Sequence, residues 1–100
     1  MIVAFSVSPS GGDPDGGVSE AVARAVKVVR DSGLPNSTNA MFTNVEGEWD
    51  AVMDVVKRAV EAAGEGSSRV SLVLKADIRP GYEGQLDAKV DRIEAHLRES

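Results

Sequence analysis

Two segments of the chain alternate apolar and polar residues with period two, and three others repeat apolar residues at helical spacing. Across 2–8, Val3, Phe5 and Val7 point one way and Ala4, Ser6 and Ser8 the other. That alternation predicts a strand, ended by Pro9, which cannot donate to a ladder. Residues 9–17 are rich in Gly, Pro and Asp and predict a loop. Val18, Val22, Ala25, Val26 and Val29 then recur at helical spacing, with Arg24, Lys27 and Arg30 on a solvated face and Gly33 as the stop. The short polar stretch 36–47 predicts a β-hairpin. A second helix follows over about 48–63, with Trp49, Val52, Val56, Ala59, Val60 and Ala63 as its apolar stripe. Val70, Leu72, Leu74 and Ala76 alternate with Ser71, Val73, Lys75 and Asp77 in the last strand. After a break at 79–85, Leu86, Val90, Ile93 and Leu97 mark a third helix.

The order β-α-β-β-α-β-α predicts an α+β fold of the ferredoxin-like βαββαβ type with a C-terminal helix. Two helices would cover one face of a four-stranded antiparallel sheet, with the first and third strands central. At 100 residues this is a single domain, 1–100, with a small core.

If the helices cover the Val3, Phe5, Val7, Leu72 and Leu74 side, the open face carries Ala4, Ser6, Ser8, Asn44, Glu46, Ser71, Val73, Lys75 and Asp77. Antiparallel sheets often leave one face to water. Small residues such as Ser and Ala are nevertheless poor choices for an exposed strand surface. They suit close approach by a ligand or by a second sheet, and the pattern leaves both readings open.

Composition narrows the chemistry. The net charge of −5 disfavours a nucleic-acid partner and suits a cationic ligand. The chain has no cysteine, which removes disulfides and thiolate metal sites. The N-terminus shows neither a basic leader nor a long apolar run, so no membrane association is expected and the cytoplasm is the expected location. His96 is the one histidine, which leaves no Ser-His-Asp triad or multi-histidine metal site to build. The loop 11–17 lacks a Gly-Lys-Ser/Thr ending, and its Asp13 and Asp15 would repel phosphate. Asp13-Pro14-Asp15-Gly16 also lacks the spaced ligands of a calcium loop. Glu46 and Asp77 could act as acid and base, but no nucleophile or oxyanion site accompanies them. Two neighbouring carboxylates equally suit a cation. Phe42 and Trp49 belong either to the edge of the core or to a stack against a flat ring.

Four motifs carry a resemblance: Phe5-Ser6-Val7-Ser8-Pro9, Val18-Ser19-Glu20-Ala21-Val22, 41–49 (Met-Phe-Thr-Asn-Val-Glu-Gly-Glu-Trp) and 70–77 (Val-Ser-Leu-Val-Leu-Lys-Ala-Asp). In this order they resemble the thiamine-binding-protein-like family over roughly residues 1–80. The resemblance implies a ferredoxin-like fold and homodimers or homotetramers formed by stacked sheet faces. It also implies non-enzymatic binding of thiamine or its hydroxymethylpyrimidine precursor, with no other cofactor and no metal. Carried onto this chain, a small cationic heteroaromatic ligand would meet Ser6, Ser8, Thr43 and Asn44 as hydrogen-bonding groups. Glu46 and Asp77 would supply negative charge, Phe42 and Trp49 stacking surfaces, and Lys75 a balancing charge. Ser10, Ala21, Phe42 and Ile78 depart from the family's usual residues. The alternative reading is a self-associating structural or regulatory module without a small-molecule ligand.

Overall fold

Eight alternating residues, Ile2–Pro9, form the central strand β1, with Val3, Phe5 and Val7 buried on one side of it. A computed structural model describes residues 1–11 and 18–99. Most of the Gly/Asp loop expected at 11–17 therefore lies outside the described residues. The other elements, in chain order, are α1 (Ser19–Asp31), β2 (Asn36–Thr38), β3 (Thr43–Glu46), α2 (Trp49–Ala63), β4 (Val70–Asp77) and α3 (Gln85–Glu99). The antiparallel sheet has the order β2-β3-β1-β4, with β1 and β3 central as the pattern predicts.

The helix-side layer forms because apolar residues share one parity on every long strand. Val3, Phe5 and Val7 pair with Ala76, Leu74 and Leu72 of β4, and Val45 of β3 lies opposite Val3. α1 contributes Ala25 and Val29 to this core; α2 contributes Val52, Val55, Val56, Ala59 and Ala63. Small Ala at the facing positions lets the two helices lie close together on the sheet.

Two expectations for the helices change. Arg24 is not on a solvated face: its guanidinium Nε donates to Ala62 O at 2.9 Å and Nη2 to Ala63 O at 3.4 Å. It thereby satisfies carbonyls that the end of α2 leaves without helical partners. Trp49 does not belong to the apolar stripe; it is 54% exposed. As the first residue of α2 it lies beyond the end of the sheet and faces the 78–83 loop. Val55 takes a core position in its place.

α3 packs differently. None of its described residues is buried, and its first turn sits at the end of the open sheet face. No helix among the described residues is long and apolar enough to cross a membrane.

Candidate functional site

Strand register lays the open face out in rows. Glu46, Ile2 and Asp77 form one row across β3, β1 and β4. Ser37, Asn44, Ala4 and Lys75 form the next, with β2 added. Ser6 lies beside Val73, and Ser8 beside Ser71, further along β1. The row of Glu46 and Asp77 is where α3 docks. Glu46 is 5% exposed; its Oε2 accepts from Gln85 N at 2.8 Å and its Oε1 from Leu86 N at 3.2 Å. A buried carboxylate needs such partners, and the first turn of a helix offers N–H groups without partners and a favourable dipole. Asp77 Oδ2 accepts from Lys89 Nζ at 2.7 Å, a second tie from sheet to α3. That hydrogen bond, and the charge of the same ammonium, hold the Asp77 carboxyl below the usual carboxylate range; Arg79 and Lys75 add to the effect.

Between the open face and α3 lies a cleft with two adjoining parts. The larger, about 380 Å³, is walled by Ile2 and Ala4 on the sheet and by Leu86 and Val90 on α3, with Asn39 and Asn44 at its rim. The smaller, about 190 Å³, lies towards the 78–84 loop and is lined by Arg79, Tyr82, Lys89 and Arg92. Ile2, Asp77, Gln85 and Lys89 border both parts. Asn44 Nδ2 donates to Ser37 Oγ at 3.4 Å. Asn39 Oδ1 accepts from the backbone N–H groups of Met41 and Phe42, both at 2.9 Å, and so fixes the β2–β3 turn. The Arg79 guanidinium lies over the Tyr82 ring, 3.5 Å from its centroid.

The residues singled out in the sequence separate into groups. Asn44, Lys75 and Asp77 come together in the larger part of the cleft, and Glu46 borders the smaller. Thr43 does not join them. It lies opposite Phe5 on the helix side and is buried, so the expectation that it offers a hydroxyl to the open face is overturned. Alternation decides this: Thr43 has the parity of Val45, and Asn44 that of Glu46. Phe42 precedes β3 and meets Thr43 and Ser6 in a separate hollow of about 210 Å³ beside β1. Ser8 is exposed towards the far end of β1. Trp49 borders another hollow, with Tyr82 and Pro80, outside the cleft.

The cleft also contains residues that were not singled out. Ile2 has the parity of Ala4 and was within reach of the same reasoning. Lys89 and Arg92 carry no comparable signal, because only the docking of α3 brings them to the sheet, and Arg79 lies in the break that follows β4. Among the described residues no group of three or more His, Cys, Asp or Glu could hold a metal ion.

A family model described as thiamine-binding protein matches residues 3–94. A Mycobacterium bovis member of an uncharacterised protein family is 52% identical over 98 residues, covering 97% of this chain and 94% of its own. A solved Methanocaldococcus jannaschii protein superposes with a TM-score of 0.82 at 30% identity, over 93% of this chain and 94% of that one. A Thermotoga maritima structure, assigned provisionally to thiamine biosynthesis or salvage, superposes with a TM-score of 0.73 at 26% identity, over 89% and 95%.

Proposed function

The chain belongs to the thiamine-binding protein family, and on that premise we propose that it binds thiamine or its hydroxymethylpyrimidine moiety, without catalysis, in the cleft between the open sheet face and α3. The observation that carries this reading is the larger part of the cleft. Its volume of about 380 Å³ lies within the range of about 300–1,000 Å³ usual for small-molecule sites. Its walls suit a flat ring: Ala4 lets the ring approach the sheet, and Leu86 and Val90 offer an apolar cover. An aminopyrimidine edge needs both donors and acceptors. Asn44 can supply them: one Nδ2 hydrogen goes to Ser37 Oγ, the other can donate to the ring, and Oδ1 can accept from an exocyclic amine. Calorimetric titration with hydroxymethylpyrimidine and with thiamine tests the reading. Saturable heat is expected with both, and Asn44→Ala should weaken binding roughly two- to tenfold, the worth of about one net hydrogen bond. No heat with either ligand at millimolar concentration would defeat it.

A second reading, self-association through the open face into dimers or tetramers, is favoured by a specific observation. Val73 on that face, and Val90, Ile93 and Leu97 of α3, are apolar and more than half exposed. Exposed apolar surface supports this reading. The two readings are compatible, since a second copy over the open face would also close the cleft.

A further inference from the structure

The cleft has a charge balance that a simple cation site would not have. Four cationic side chains, Lys75, Arg79, Lys89 and Arg92, border its two parts, against two carboxylates, Glu46 and Asp77. Both carboxylates are already engaged by the protein: Glu46 by two backbone N–H groups of α3, and Asp77 by Lys89. Glu46 thus has both oxygens occupied, and the charge of Asp77 is offset by Lys89. The surplus positive charge is local and runs against the chain's net charge of −5, so it is a feature of this cleft.

The surplus also has a location. Lys75 borders the larger part, while Arg79 and Arg92 border the smaller part only, and Lys89 stands between the two. Stacking on Tyr82 holds the face of the Arg79 guanidinium and leaves its edge donors to meet an anion bidentately. Arg92 Nη2 donates to Gln85 Oε1 at 3.0 Å, which fixes its guanidinium beside the first turn of α3. Resting on the pyrimidine-binding reading above, we propose that the preferred ligand is a phosphate monoester of that pyrimidine, its ring in the larger part of the cleft and its phosphate in the smaller part, against Arg79, Lys89 and Arg92. A phosphate monoester carries about −1.5 to −2 charges near neutral pH, and three cationic side chains border the smaller part to meet it. Its charge-assisted hydrogen bonds to guanidinium and ammonium are stronger than neutral ones. Asp77 then has a competing role: it holds Lys89 when the phosphate is absent and repels the phosphate when it arrives.

The test compares hydroxymethylpyrimidine, its phosphate monoester and inorganic phosphate by calorimetric titration at low and high salt. The ester should bind at least tenfold more tightly than the free alcohol, and the advantage should shrink as salt screens the charges. Arg79→Gln and Arg92→Gln should each reduce the advantage, with circular dichroism confirming the fold. Asp77→Asn, which frees Lys89, should tighten the ester and leave its ring contacts in place; a cation site anchored on Asp77 would instead be weakened. Equal or weaker binding of the ester, with the alcohol still bound, overturns the phosphate assignment and leaves the pyrimidine site standing. An ester advantage that survives both arginine variants overturns the placement of the phosphate. Failure of both organic ligands to bind overturns both proposals.

Discussion

Glu46 gives both carboxylate oxygens to the first turn of α3, which makes it a helix cap reaching across 39 residues of chain to Gln85. Its burial follows from that role: a 5% exposed carboxylate without those N–H donors would carry a large desolvation cost. Replacing it with Ala leaves the two N–H groups to water and empties the end of the open face. Glu46→Ala should lower stability by about 0.5–2 kcal/mol, the usual worth of a helix cap. Glu46→Gln, which keeps one acceptor oxygen, should fall between the two. Urea unfolding gives the stability, and amide exchange at Gln85 and Leu86 should speed up in the Ala variant. Unchanged exchange at those amides would mean that α3 is held by something other than the cap. Arg24 is the same device in reverse, a donor brought to the carbonyls at the end of α2. Neither role shows in residue type, since each depends on a partner that is remote in sequence.

α1, α2 and β1 follow from periodicity, because each buries one face and the spacing of apolar residues reports that face directly; β4 alternates in the same way, with Val70 and Leu74 only partly buried. Parity places Val3, Phe5 and Val7 opposite Ala4, Ser6 and Ser8, and the same rule applied to β3 places Thr43 with Val45. Residue polarity alone suggests the open face for Thr43, and there parity is the better guide. The docking of α3 was not legible, and with it half of the cleft. An apolar stripe at Leu86, Val90, Ile93 and Leu97 predicts a helix but not which surface it meets. The structure settles that with a cap and one ion pair rather than with a buried face. A helix held this way should respond to acid. The folded-state pKa of Asp77 is depressed by Lys89, so the Asp77–Lys89 tie contributes fully above the unfolded carboxylate value of about 3.9. The contribution is lost as pH falls through the lower folded value. Because the pair is exposed, salt should weaken it as well. Amide exchange along α3 should therefore accelerate in acid at low salt before the core opens. Lys89→Gln should remove that early step. If α3 and the core open together at every pH, the ion pair contributes nothing separable.

The radius of gyration is 15.1 Å, against about 13 Å for a compact domain of 100 residues. α3 adds length without burial, with Val90, Ile93 and Leu97 exposed. The core itself is one layer of small apolar residues, with Phe5 its one aromatic member, and a core of this size is marginal when alone. The open face complements that deficit. It offers Val73 beside small Ser6, so another flat surface could lie against it without bulky side chains intervening. A second copy of the chain presents the same face, and a two-fold arrangement needs no other partner. Association of this kind ties stability to concentration, because only the folded state assembles. The melting temperature should therefore rise with protein concentration, and sedimentation should show a species larger than the monomer. Val73→Asp places a carboxylate on the edge strand of that face, where it would be desolvated in a stacked assembly that covers β4. It should abolish the larger species and the concentration dependence. The isolated chain should be little altered, since Val73 is already exposed to water there. A Val73→Asp variant that sediments and melts like the parent at every concentration would place the assembly surface elsewhere, and the exposed stripe of α3 would then be the next surface to test.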